Sequence, residues 1–218
     1  VKIAICSPVH DSLKADHVNS LTALLIETAK AGVEVAYRNM KSSTVVAGRT
    51  LLAQSALDWG ADLLLWLDAD QTFPPDTLSR LVEHGEDFVG CNYSRKSDPA
   101  SPTALRLGAE SGRDLVWTAS DSSGLIEVDA MGMGVCLVAR CVFEAVPAPW
   151  FSMEWDSENR LIGEDHYFCR KARAAGFKVK IDQGLSGEIG HIGERIFTNM
   201  HANMDRARWQ MLQRKSAT

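Results

Sequence analysis

The chain has 218 residues, 45% of them hydrophobic, with a formal net charge of -5. That length and apolar content suffice to bury a full core in one domain and disfavour disorder. The acidic balance argues against a surface built mainly to hold nucleic acid, although local basic patches remain open. No apolar run approaches membrane-spanning length, and the opening residues Val1, Lys2, Ile3, Ala4, Ile5 and Cys6 read as a first strand rather than a signal peptide. A soluble, cytoplasmic protein without a membrane span is the simplest reading. Cys6, Cys91, Cys136, Cys141 and Cys169 form an odd set without C-x-x-C spacing. They suggest neither a disulfide framework nor a zinc site, and reduced, mostly buried thiols are expected.

In chain order, residues 1–7 read as a strand. Residues 15–31 read as a helix with apolar positions Val18, Leu21, Leu24 and Leu25, stopped by Gly32. A strand over 33–37, a helix over 47–59 stopped by Gly60, and a strand over 62–67 follow. This alternation predicts right-handed crossovers and parallel strands with helices on both faces. Pro74 and Pro75 open a further helix through residue 82, and 87–91 returns as a strand. Beyond residue 99, short strand-like pieces at 103–107, 115–118 and 126–128 lie between Gly, Ser and Asp clusters, as antiparallel ribbon and loop do. Residues 135–138 form a buried strand, 163–175 a helix ended by Gly176, 178–181 a strand, and 196–215 a polar terminal helix.

The most informative stretch is the strand at 62–67, where an apolar run stops on Asp68 and Asp70. A buried strand of this kind delivers both carboxylates to the C-terminal edge of the sheet, where open α/β folds place ligands. At i, i+2 spacing they lie on one side and can share a hard divalent cation, which in turn can bridge to a diphosphate. The bland alternative is a solvated loop.

Four other features bear on chemistry. Glu164 and Asp165 begin a helix, where the macrodipole favours an ionised carboxylate suited to general-base work; helix capping explains either of them as readily. His191 stands between glycines, with room for its ring to reach a ligand or to serve structure. Arg49, at the start of the helix before the aspartate strand, sits near any anion the cation holds, or forms a surface salt bridge. Gly132 and Gly134, alternating with Met131 and Met133, bring backbone close to something, either a ligand or a tightly packed neighbour.

In order and context these pieces resemble the GT-A fold glycosyltransferases, particularly the inverting family 2 type, which includes phage-encoded members. The closest local match runs over residues 163–179, a Glu-Asp pair, helix, small residue, Gly-aromatic pair and strand. The resemblance implies a GT-A, Rossmann-like α/β fold: a mixed, mostly parallel sheet flanked by helices, with a small antiparallel ribbon and a C-terminal helix. The whole of 1–218 would be one domain, with a nucleotide-sugar half at 1–95, an acceptor and catalytic half at 96–195, and the terminal helix at 196–218. It further implies a nucleoside-diphosphate sugar donor, expected to be a UDP-sugar, and Mn²⁺ or Mg²⁺ held by Asp70 and His191. Asp68 would join the metal or reach the sugar and ribose.

Under the same resemblance Asp165, with Glu164 beside it, is the base, and Pro8 and Arg49 line the nucleotide pocket. Met133 and Gly134 approach the donor sugar or acceptor, and Trp150, Phe151 or Trp155 stack on an acceptor ring. The acceptor would be a carbohydrate or small molecule, or a hydroxylated DNA base contacted through Arg95, Lys96, Arg206, Arg208, Arg214 and Lys215. The short chain argues against processive polysaccharide synthesis. Two other readings stand beside it. The run into Asp68 and Asp70 also fits haloacid-dehalogenase-like phosphatases with Asp68 as nucleophile, although two strand-helix units precede it. A non-catalytic nucleotide-sugar-binding domain is the third.

Overall fold

A computed structural model describes residues 1–97, 99–108 and 113–194 of the chain. The expected terminal helix, with Arg206, Arg208, Arg214 and Lys215, lies outside the described residues.

The first half follows the predicted alternation: β1 (Lys2–Val9), α1 (Ala15–Lys30), β2 (Glu34–Lys41), α2 (Val45–Asp58) and β3 (Leu63–Leu67). Gly60 takes a φ of +85°, which a side chain disfavours, so the chain reverses where the sequence placed the stop. A two-residue β4 (Gln71–Thr72) precedes α3 (Thr77–Glu83) and β5 (Phe88–Gly90). Pro74 and Pro75 lie in the turn ahead of α3, and the Pro74 carbonyl accepts from the Thr77 amide and hydroxyl. A small ribbon of β6 (Leu105–Arg106) and β7 (Asp114–Leu115) leads to β8 (Leu125–Val128), β9 (Val135–Ala139) and α4 (Arg140–Ala145). The hairpin of β10 (Glu154–Trp155) and β11 (Leu161–Ile162) runs into α5 (Glu164–Ala174), β12 (Val179–Asp182), α6 (Gln183–Ser186) and β13 (Gly190–His191).

Seven strands form the central sheet in the order β2-β1-β3-β9-β5-β12-β8. Strands β1, β2, β3, β5 and β12 run one way, and β8 and β9 run antiparallel to their neighbours. This is the expected mixed, mostly parallel α/β sheet flanked by helices. Strands from both halves of the chain interleave in it, with β9 inserted between β3 and β5. Among the described residues no helix is long and apolar enough to cross a membrane.

The alternation of β3 distributes its side chains between two cores. Leu64 and Trp66 face one layer with Leu52, Phe143, Phe151 and Phe168, while Leu65 and Leu67 face the other with Leu21, Leu24 and Leu81. The first layer contains a ring cluster in which Phe143 stacks on Phe168 at 5.0 Å. Cys6, Cys91, Cys136 and Cys169 are buried, Cys141 is exposed, and all are free thiols. Burial on both faces holds β3 rigidly, so the residues just past its end project from a fixed edge.

Candidate active site

A cleft of about 430 Å³ opens at the C-terminal ends of β1, β2 and β3, beside the start of α2. Pro8, Lys14, Thr44, Gly48, Asp68 and Asp70 are among the residues that line it. Three of them, Pro8, Asp68 and Asp70, are positions singled out in the sequence. Thr44 caps α2 by accepting from the Ala47 amide at 3.3 Å, which fixes the start of the helix that carries Arg49.

Arg49 does not face the cleft. Its side chain is 2% exposed, and Nη2 donates to the two oxygens of Asp68 at 2.8 and 3.1 Å. Nε donates to Oε1 of Glu164 at 3.1 Å, and Nη1 lies 3.5 Å from the Met133 carbonyl. One guanidinium thus ties the end of β3 to the first turn of α5. Burial by itself would lower the Arg49 pKa, but the two carboxylates outweigh it and hold the group charged. Burial raises the Asp68 carboxyl above its ordinary value; Arg49 opposes this, and the charges of Asp70 and Asp165 reinforce it. Glu164 is pushed up for the same leading reason, again against Arg49.

Asp70 and His191 meet. Strand β13 pairs with β4 so that His191 lies opposite Gln71, and the Ile192 amide donates to the Asp70 carbonyl at 2.8 Å. His191 Nε2 stands 3.6 Å from Asp70 Oδ1. Nδ1 is 2.8 Å from the Ser94 carbonyl, which can only accept, so Nδ1 carries a proton and Nε2 is the ring nitrogen turned toward Asp70. Lys96, which the sequence offered only as a phosphate contact, bonds to the other oxygen, Asp70 Oδ2. Burial alone would raise the Asp70 pKa, yet its contacts with His191 and Lys96 bring it down to about 2.

The donor chemistry of a carboxylate and an oriented imidazole fits Mn²⁺ or a similar divalent ion. Among the described residues no cluster of three or more His, Cys, Asp or Glu side chains is arranged to hold a metal. Both Asp68 oxygens already lie within hydrogen-bond distance of Arg49 Nη2. Asp70 and His191 are the two side chains that could offer donor atoms to such an ion from one place.

Asp165 is half-buried in the first turn of α5, close enough to Asp68 to act on its charge. Its Oδ1 accepts from the His166 amide at 2.7 Å. Gly163 occupies the N-cap, so neither acid is the capping residue, and of the two Asp165 is the one whose side chain accepts a first-turn amide from another residue.

Met133 and Gly134 are placed behind the cleft wall. Met131 and Met133 are fully buried in the core. The Gly134 amide donates to Tyr93 Oη at 3.0 Å, and its carbonyl accepts from the Asp68 amide at 2.9 Å. The close neighbour that these glycines accommodate is Tyr93: a Cβ on Gly132 would lie 2.3 Å from its Oη. The Tyr93 ring also meets His191 edge-on at 5.3 Å. Nothing in the sequence marks Tyr93 beyond its residue type, and nothing there links Lys96 to Asp70. Phe151 is buried against Trp66 and its ring is not free to stack on a ligand; Trp150 is half-buried and donates from Nε1 to the Phe143 and Val146 carbonyls, and Trp155 is 69% exposed on the hairpin leading to α5.

Comparison with known proteins gives fold relatives only. The chain matches no family model and no curated protein. Among solved structures it is similar to protein A197 from STIV, with a TM-score of 0.56 and 15% identity over 91% of this chain and 97% of that one. Looser alignments reach S. aureus TarS (TM-score 0.46, 14% identity, 83% of this chain and 58% of that one). Another reaches a Drosophila β1,4-galactosyltransferase 7 in complex with manganese, UDP-Gal and xylobiose (TM-score 0.47, 15% identity, 92% of this chain and 78% of that one). The likeness to A197 is one of fold, and the two looser alignments add nothing to it.

Proposed function

We propose that this chain is a metal-dependent glycosyltransferase that moves a sugar from a nucleoside-diphosphate donor to an acceptor hydroxyl. The observation that carries this reading is the meeting of Asp70 with an oriented His191 at the rim of a cleft that also receives Asp68, with Asp165 within electrostatic reach. The nucleotide lies in the cleft against Pro8 and the start of α2, whose free amides favour an anion. Asp70 and His191 hold a divalent ion, whose contribution when bound is to neutralise the departing diphosphate. Asp165 takes the proton of the acceptor hydroxyl, whose oxygen then attacks the anomeric carbon from the face opposite the diphosphate, with inversion. Glu164, held by Arg49, fixes the position of the helix turn that presents Asp165. The acceptor is a carbohydrate or other small molecule and the donor a UDP-sugar.

The phosphatase reading requires Asp68 as a free nucleophile. Arg49 Nη2 lies within hydrogen-bond distance of both Asp68 oxygens, which speaks against it.

The deciding experiment is a mass-spectrometric screen of nucleotide sugars and acceptors with Mn²⁺. It is followed by Asp165→Asn on the active pair, which should lower kcat by about 100-fold or more while leaving donor affinity unchanged. Donor affinity falling in step with kcat would remove Asp165 as base. Failure to bind any nucleotide sugar, with p-nitrophenyl phosphate cleaved instead, would replace the whole reading with the phosphatase.

A further inference from the structure

Lys96 is the cation nearest to the heart of the candidate metal site, and its environment is specific. Its ammonium bonds to Asp70 Oδ2 while His191 Nε2 faces Asp70 Oδ1. The segment that carries it is fastened to the same place: His191 Nδ1 donates to the Ser94 carbonyl, and the Arg95 amide donates to the Ser101 carbonyl at 2.7 Å. The lysine stem passes over Gly193, where a Cβ would stand 3.6 Å from its Cγ and Cδ. Both partners of the pair are part-exposed, Lys96 at 38% and Asp70 at 31%, so the bond contributes little to folding.

A carboxylate that serves a divalent ion through one oxygen cannot comfortably keep an ammonium on the other, because the two cations repel at that separation. The flexible four-carbon stem of lysine lets its compact charge move by several ångströms without moving the backbone. Entry of an ion with a diphosphate therefore creates both a reason for Lys96 to leave Asp70 and a nearby anion for it to join. We infer that Lys96 is a diphosphate-binding residue of the donor site, resting on Asp70 until metal and diphosphate arrive and then pairing with the diphosphate. This rests on the proposed donor site and adds to it a residue whose effects on metal and on diphosphate have opposite signs.

Calorimetric titration of the full chain tests it, with Mn²⁺ alone and with inorganic pyrophosphate added to the Mn²⁺-saturated protein, which avoids any assumption about the base or sugar. Lys96→Gln should bind Mn²⁺ about fivefold more tightly and pyrophosphate about fivefold more weakly than the parent chain, as expected for losing one part-exposed ionic partner. Lys96→Arg should retain pyrophosphate binding. Weakening of both ligands in Lys96→Gln, or no tightening of Mn²⁺, would overturn the inference. Asp70→Asn separates the two levels of argument. If it loses Mn²⁺ while Lys96→Gln is unchanged, only the role of Lys96 falls, whereas Mn²⁺ binding undiminished in Asp70→Asn removes the metal site itself. Absence of Mn²⁺ binding in both the parent and Lys96→Gln overturns both.

Discussion

Arg49 and Glu164 are 115 residues apart in the chain and meet at 3.1 Å, inside a guanidinium hold that also takes in Asp68. Arginine suits this position because its planar fork can address two carboxylates at once from a buried stem. Arg49→Met would leave buried Glu164 and half-buried Asp68 without their counter-charge, and should lower stability by about 3 kcal/mol, as breaking a buried pair does. Arg49→Lys keeps a charge but not the fork, and should recover only part of the loss. Urea denaturation of the three chains measures this directly. A loss below about 1 kcal/mol in Arg49→Met would show that the contacts are not coupled to folding.

His191→Ala removes the imidazole nitrogen that faces Asp70 and also the donor to the Ser94 carbonyl. His191→Asn keeps a donor of shorter reach and supplies a weaker ligand. Mn²⁺ affinity should fall by about tenfold or more in His191→Ala, within the range by which ligand and supporting contacts commonly change metal affinity. Calorimetry with Mn²⁺ alone provides the measurement, and an unchanged affinity would remove His191 from the ligand set.

The edge that bears Asp68 and Asp70 was legible in the sequence because an apolar run of strand length ends on them, a signal that is local. The same holds for α5, whose start carries adjacent acids and whose end carries Gly176. What was not legible depends on distant contacts. The antiparallel course of β9 leaves no trace in Val135, Cys136, Leu137 and Val138, since a strand buried on both faces reads alike in either direction. Arg49 was expected at the nucleotide because it starts the helix ahead of the aspartate strand, yet its helical position turns the side chain inward toward Glu164, whose proximity no spacing rule gives. The glycines at 132 and 134 did announce a close approach, and only the structure identifies Tyr93 as the neighbour. The two-residue pairing of β4 with β13, which brings His191 to Asp70, is too short to produce any periodic signal.

Gly132→Ala tests that approach. The added Cβ would stand 2.3 Å from Tyr93 Oη and 2.7 Å from its Cζ, so the ring must shift although backbone φ is not the obstacle. The cost should be about 1–3 kcal/mol, typical of overpacking a filled site. Tyr93→Phe removes the atom in closest contact, so the double variant should lose less than the sum of the two single losses in thermal or urea unfolding. Simple additivity would mean that the strain falls elsewhere.

Asp182 provides a pH test well away from the cleft. Its Oδ2 is 3.0 Å from His84 Nε2, and Oδ1 accepts from the Leu185 amide at 2.9 Å, capping α6. Burial works to raise its pKa, but the contacts with His84 and the Leu185 amide prevail and the value is lowered. A carboxylate with a folded pKa below its unfolded value adds stability that is fully present above the unfolded pKa of about 3.9 and disappears as pH falls through the folded value. Asp182→Asn keeps a capping oxygen but not the charge, and should cost about 1 kcal/mol at pH 7. The difference between the two chains should narrow as pH falls below about 4 and the folded carboxyl begins to take up its proton. Urea unfolding at pH 7, 5, 4 and 3 reads the trend, and a gap that stays constant across that range would show that the ionised form of Asp182 is not what stabilises the fold.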